Sequence, residues 1–254
     1  MDSTVAIEVR DNVQIMTLSN REARNAVTFE MAQAMADAID ELDGNSALRV
    51  GIVTGAGNTF CAGMDLKGFL QGKSPMVPGR GFCGLTQTPP KKPLIAAIEG
   101  YALAGGFELA LACDMIVAAE DVKFGLPEVK RGLVAGAGGV LRLPARLPYY
   151  IAMECILTGD MLEAGRAYAH GLVNRLVQPG KALETALELA GVVAMNAPLA
   201  VIASKAVVQE SADWTQKEMF DRQAPIITPV FTSQDAREGA AAFAEKRRPV
   251  WKGR

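Results

Sequence analysis

Histidine is almost missing: His170 is the only one in 254 residues. A metal centre built from several imidazoles therefore finds no support, and neither does a Ser-His-Asp triad with a choice of histidine bases. Cysteine is scarce as well. The four lie at positions 61, 83, 113 and 155. Their spacing matches no metal or redox pattern, so free thiols in a reducing, cytoplasmic compartment are expected. No run of about 18 apolar residues occurs, because charges or glycines interrupt every candidate. The start, Met1-Asp2-Ser3-Thr4-Val5-Ala6-Ile7-Glu8, has neither the basic nor the apolar segment of a signal peptide. No membrane partner is expected. There is no excess of one charge either: the balance is -2, which gives a nucleic-acid partner no electrostatic support at whole-chain level.

What is present is an ordinary globular composition, 50% hydrophobic and 21% charged. The length suits one large domain or a domain with an extension. Val5 to Val9 and Val13 to Leu18 read as two strands around a turn at Arg10-Asp11-Asn12. Phe29, Met31, Ala32, Met35, Ala38, Ile39 and Leu42 form a helical stripe with Thr28 as its N-cap. Met31 and Met35 belong to that core stripe. Short apolar runs from Val50 to Thr54, Pro93 to Ile98 and Ile116 to Ala119 read as buried strands. Helical patterns from about Gly106 to Cys113 and Gly138 to Leu143 fall between or after them. This alternation predicts an α/β architecture with mostly parallel pairing. Residues 68 to 92 are rich in glycine and proline and read as a long irregular connection, functional or mobile. Beyond about residue 181 the chain reads as helical, with segments Lys181 to Met195, from about Pro198, and Gln234 to Arg248. His170 reads as a helix end before a C-cap Gly171, Asp114 as structural, and Glu99 as solvent-facing or paired.

Two glutamates stand out. Glu108 lies within Gly105-Gly106-Phe107-Glu108-Leu109-Ala110-Leu111-Ala112-Cys113, and Glu128 follows Phe124-Gly125-Leu126-Pro127. An ionised carboxylate among apolar residues is costly without a partner. Burial and like charge move such groups toward neutral pH, where they serve as acids and bases. A helix cap or salt bridge is the plainer alternative for each. The turn before Glu108 adds weight to chemistry. A strand ends, two glycines follow and a helix begins, so unpaired N–H groups at a positive dipole end can face a ligand. Double glycine could equally permit tight helix–strand packing. The loop Gly55-Ala56-Gly57-Asn58-Thr59-Phe60 lacks the third glycine and the helix of a dinucleotide fingerprint.

Three motifs, Phe60-Cys61-Ala62-Gly63-Met64-Asp65-Leu66, Gly100-Tyr101-Ala102-Leu103-Ala104-Gly105-Gly106-Phe107-Glu108-Leu109-Ala110 and Phe124-Gly125-Leu126-Pro127-Glu128, together resemble the crotonase superfamily. In detail the chain looks like an enoyl-CoA hydratase, from Asn25-Ala26-Val27 to the tail. The resemblance implies a ββα spiral core over 1–190 and a helical C-terminal oligomerisation region over 191–254, assembling as a homotrimer or a dimer of trimers. It implies an oxyanion hole from the Met64 and Gly105 N–H groups, and Glu108 and Glu128 as the catalytic pair. Arg24, Ala26, Ala62, Asp65 and Leu66 match the CoA channel, Gly106 and Pro127 are implied as further substrate- or CoA-binding positions, and Phe243 and Lys246 match the helix that reaches a neighbouring subunit's CoA. An acyl-CoA thioester is then the substrate, with CoA part of it, and no metal or bound redox cofactor is required. Ala104 departs from the pattern, standing where many hydratases carry a third glycine; Val134-Ala135 replaces an Ile-Pro pair. The tail and Gly139-Val140-Leu141-Arg142-Leu143-Pro144 also look like carnitinyl-CoA dehydratases. Isomerisation, a silent acyl-CoA binder and an RNA-binding side role are the competing readings.

Overall fold

The structure, a computed structural model, describes residues 4–254; residues 1–3 of the expected core and leader reading lie outside them. In chain order, β1 (Thr4–Arg10) and β2 (Val13–Ser19) form a hairpin, followed by α1 (Phe29–Gly44), β3 (Val50–Gly55) and the short α2 (Leu66–Leu70). A two-residue ladder, β4 (Met76–Val77) and β5 (Gly81–Phe82), precedes β6 (Leu94–Ile98), β7 (Tyr101–Leu103) and α3 (Gly105–Ala112). Then come β8 (Met115–Ala119), β9 (Lys123–Gly125), a 3-10 turn over Pro127–Arg131, α4 (Gly139–Arg146) and α5 (Tyr149–Thr158). The pieces β10 (Leu162–Glu163), α6 (Ala164–Ala169) and β11 (Arg175–Val177) lead to the helices α7 (Ala182–Ala194), α8 (Pro198–Glu210), α9 (Met219–Phe231) and α10 (Gln234–Ala244).

The main sheet has the order β1-β2-β3-β6-β8-β11 and is parallel apart from the hairpin. A second sheet, β10-β9-β7, stands beside it. Alternation along the strands feeds two cores, since successive side chains point to opposite faces. Val50, Ile52, Ile95, Ala97 and Val117 meet Ala182, Ala186 and Ala190 of α7 on one face. Val53, Leu94, Ala96 and Ile98 join α1 and α3 on the other. The α1 stripe buries Met31, Met35, Ile39 and Leu42, and the Thr28 hydroxyl accepts from Met31 N at 3.2 Å, as its sequence position anticipates.

Two details differ from the sequence reading. The 68–92 connection is packed rather than loose: Phe82, Cys83, Leu85 and Thr86 are buried. Its glycines and prolines serve close turns, and the apolar residues between them supply the anchor. Between 149 and 177 the structure adds α5, β10, α6 and β11, which are too short or too evenly apolar to stand out by period. Glu99 is paired with a helix terminus: its two carboxylate oxygens accept from Gly180 N and Ala182 N, both at 3.0 Å, at the start of α7. Asp114 is structural, accepting from Leu94 N and pairing with Lys205 at 2.6 Å. His170 caps α6 before Gly171. All four cysteines are free and buried.

α7 runs across residue 190, with Ala190 fully buried against the sheet. Chain that leaves the sheet begins at α8. There α9 buries none of its residues and leaves Phe220 and Phe231 exposed. Among the described residues no single helix is long and apolar enough to cross a membrane.

Candidate active site

The site forms where two loops are forced together. The 61–65 loop is laced between two neighbours: Ala62 N donates to Arg24 O, Val27 N to Gly63 O, and Asp65 N to Val27 O, at 2.8–3.0 Å. On its other side Cys61 N donates to Tyr101 O at 3.0 Å and Leu103 N donates to Cys61 O at 2.9 Å. Asn25, fully buried, fastens the 24–27 turn by donating to Ala56 O at 3.0 Å and Thr59 O at 2.7 Å. The start of α3 then presses on this loop. A Cβ at Gly106 would stand 2.2 Å from Cys61 O, so only glycine fits there.

Neither the Met64 nor the Gly105 N–H donates to a protein acceptor among the described residues. They are neighbours: a Cβ built on Gly63, one residue before Met64, would stand 3.3 Å from Gly105 N. Gly105 opens α3, where N–H groups have no intrahelical partner. Its peptide is aimed by Ala104, whose backbone sits at φ 51, ψ -128. An L-residue there is strained by about 1–3 kcal/mol. The expected third glycine is thus replaced by an alanine that keeps the glycine conformation. The ring of Phe82 closes the other side, with its Cζ 2.5 Å from where a Gly105 Cβ would be.

The two glutamates come from different elements, and the charge of Glu108 is felt at Glu128. Glu108 lies in the first turn of α3, 3% exposed, and its Oε1 accepts from Gly139 N at 2.8 Å. Burial raises its pKa, while the amides of Gly139 and Ala137 and the charge of Arg142 pull it back. Glu128 sits in the 3-10 turn after β9, and its Oε2 is buried without a hydrogen-bond partner among the described residues. Burial first, with the charge of Glu108 adding to it, pushes Glu128 up to about 7. Two carboxylates in different surroundings can thus hold one proton between them at neutral pH. Burial pushes the nearby Cys61 thiol up to about 12, which leaves it inert as a nucleophile.

The other anticipated residues fall into two groups. Arg24 and Ala26 lie in the turn that holds the 61–65 loop, Arg24 exposed and Ala26 buried. Ala62 is half-buried on that loop, and Leu66 is 51% exposed at the start of α2. Asp65 caps α2, accepting from Lys67 N at 3.1 Å and Gly68 N at 3.2 Å. Next to it lies a cavity of about 280 Å³ flanked by Phe29, Glu30, Asp65, Lys67 and Lys73. Gly106 is buried two residues before Glu108, and Pro127, directly before Glu128, is half-buried. Phe243 is 88% exposed and Lys246 lies just past the end of α10, so within one chain Phe243 lines no site. A larger cavity of about 610 Å³, between α7, α8 and the end of α3, touches neither glutamate; chemistry rather than size locates the site. Sequence reasoning missed Asn25, Phe82 and Arg142. Only Arg142 carried a signal, as a cation three residues after Gly139 on a mainly apolar helix.

Two outcomes follow from this geometry. Ala104→Gly relieves the strained turn at a smaller cost in unfolded-chain entropy. Calorimetry should show melting raised by a few degrees, for a gain on the order of 1 kcal/mol; a lowered melting temperature would contradict the strain. For Glu128 the sign is fixed by a raised folded-state pKa: stability is full below its ordinary value of 4.5 and is lost as pH rises through about 7. Glu128→Gln should therefore melt higher than the parent at pH 8, with the difference closing toward pH 4.5. A pH-independent difference would show that Glu128 is not shifted.

Comparison with known proteins agrees with these features. A family model described as enoyl-CoA hydratase/isomerase matches residues 8–254. The chain is 40% identical over 262 residues to a carnitinyl-CoA dehydratase of Proteus mirabilis, covering all of both. It superposes on the crystal structure of an enoyl-CoA hydratase from Mycobacterium tuberculosis H37Rv with a TM-score of 0.98, at 57% identity over the whole of both chains. A carnitinyl-CoA hydratase structure from Mycobacterium avium matches with a TM-score of 0.80, at 43% identity and full coverage. The ββα core, the two paired loops and this match over nearly the whole length place the chain in the enoyl-CoA hydratase/isomerase family of enzymes, within the crotonase superfamily.

Proposed function

We propose that the protein is a hydro-lyase that adds water reversibly across the C2=C3 bond of a 2-trans-enoyl-CoA thioester. The observation that carries this is the presence of two carboxylates, Glu108 and Glu128, beside one pair of free N–H groups. The Met64 and Gly105 N–H groups bind the thioester oxygen and stabilise the enolate-like charge, each such donor being worth about 3 kcal/mol of barrier. Glu108, fixed by Gly139 N, orients and deprotonates the water that attacks C3. Glu128, protonated up to about pH 7, delivers a proton to C2. General acid and base steps of this kind contribute roughly 100- to 10,000-fold each. In the reverse direction the roles exchange. Arg24, Ala26, Ala62, Asp65 and Leu66 line the CoA channel in this reading.

A second reading keeps the chemistry and changes the acyl group. The relatives named carnitinyl-CoA dehydratase and hydratase favour a carnitinyl thioester. Loss of the conjugated thioester absorbance separates the two. Turnover of crotonyl-CoA that falls at least 100-fold in both Glu108→Gln and Glu128→Gln, with CoA binding intact, supports the enoyl reading. Turnover of carnitinyl-CoA or its dehydrated product alone supports the second. Activity that survives loss of either glutamate would overturn the two-carboxylate mechanism and favour isomerisation.

We infer further that the chain works as a homotrimer or dimer of trimers, with Phe243 and Lys246 of one subunit reaching a neighbour's CoA. The uncovered α9 and the exposure of Phe243 support this. Light scattering should give three or six times the 26.9 kDa chain mass, whereas a fully active monomer would sink the idea.

A further inference from the structure

Arg142 is a half-buried cation with no place in the mechanism above. It projects from the first turns of α4, three residues after Gly139, whose N–H holds Glu108. Its guanidinium lies under the 137–139 turn. Nη1 stands 2.1 Å from where a Cβ on Gly138 would be, and it donates weakly to Ala137 O at 3.4 Å. Nη2 donates to Thr86 O at 2.6 Å, in the buried end of the 68–92 connection. Both acceptors are neutral carbonyls, so the cation is hydrogen-bonded but not neutralised. A charge left uncompensated in a half-buried place acts on its surroundings over several ångströms, because water screens it poorly there. The same side chain also joins the wall that carries Gly139 to the segment that carries Phe82, which rests on Gly105.

We propose that Arg142 is a positioning residue that supports Glu108 as the base, by tying the turn that grips Glu108 to the Phe82 segment and by placing its charge behind that turn. This rests on the two-carboxylate reading above. The charged and titratable groups facing the pair are few. On Glu108 the opposition to burial comes first from the Gly139 amide, then from the Ala137 amide, and then from the charge of Arg142 on α4. Arg131 acts on Glu128 from the 3-10 turn, and the charge of Glu108 acts on Glu128 as well. Arg146 and Cys113 act on Arg142 rather than on the carboxylates. Burial lowers the Arg142 guanidinium and the charge of Glu108 partly offsets that, so the two sense one another from both sides. Arginine stays charged in such a place, and its planar fork reaches two carbonyls at once, which a lysine ammonium does only loosely.

The test titrates the two carboxyls in 13C-glutamate-labelled full-length protein by NMR, in parent, Arg142→Gln and Arg142→Lys, with resonances assigned through Glu108→Gln and Glu128→Gln. The expected result is an upward move of the Glu108 titration in Arg142→Gln, with Arg142→Lys close to the parent. The acidic limb of the kcat/KM–pH profile should move the same way. Narrowing of the bell should lower kcat by roughly tenfold, a fraction of the 100- to 10,000-fold that a complete general base supplies. An unmoved Glu108 titration in folded Arg142→Gln overturns the proposal, even where kcat and melting temperature fall. Equal shifts in the Gln and Lys variants overturn the charge argument too. If the parent shows the NMR shift but does not hydrate enoyl-CoA, the functional reading fails while the electrostatic role stands. Should Arg142→Gln not fold, Arg142→Lys and the parent at low and high salt supply the comparison: charge coupling through a half-buried site changes little with salt, and a Glu108 titration identical in all of them to that of free glutamate refutes the idea.

Discussion

Everything at this site depends on one exclusion of volume: no Cβ fits between the start of α3 and the 61–65 loop. Gly106 would otherwise collide with the Cys61 carbonyl, and Gly105 with the Phe82 ring. Because the two backbones touch, the Met64 and Gly105 peptides lie close together, and in the proposed reaction such a rigid pair of donors costs no reorganisation when charge develops between them. The hydrogen bonds from Ala62, Val27 and Asp65 hold the loop from behind, and Asn25 holds the turn that takes part in all three of those contacts. The strain at Ala104 is the local cost of aiming Gly105, tolerated because the surrounding contacts leave the turn no alternative.

The carboxylates illustrate how environment assigns roles to identical groups. Glu108 is the more buried of the two, yet it has an amide partner and a nearby cation. Glu128 is less buried, yet one oxygen has no partner and its neighbour is another carboxylate. The difference in burial would make Glu108 the acid; the difference in partners reverses it. In the proposed mechanism that reversal draws on α4, whose Gly139 amide and Arg142 charge oppose the effect of burial on Glu108.

Much of the fold was legible because its periodicities are clean. The β3, β6 and β8 runs are short, apolar and bounded by turn residues, as strands buried on both faces must be. The α1 stripe carries a capping threonine in the right place. The 149–177 segment was not legible, since two- and three-residue strands and a one-and-a-half-turn helix leave no period to read. The 68–92 stretch looked loose because glycine and proline dominate it, whereas burial of Phe82, Cys83 and Leu85 depends on partners from α1 and α3 that are remote in sequence. Glu99 shows the same limit: its carboxylate caps a helix more than eighty residues away.

The amino-acid sequence by itself determined the class of chemistry. Glycine pairs, isolated glutamates in apolar runs and the scarcity of histidine are local facts, and local facts suffice to say that backbone donors and carboxylates are available. It also determined the alternation of strands and helices, because side-chain period is a property of one segment at a time. Only the tertiary structure decided which donors meet, which glutamate is gripped by an amide and which is left with a bare oxygen, and that Arg142 stands behind one and not the other. Those depend on distances between segments 30 or more positions apart, such as Glu108 and Gly139. Electrostatic energies follow separation and solvent exposure rather than order along the chain.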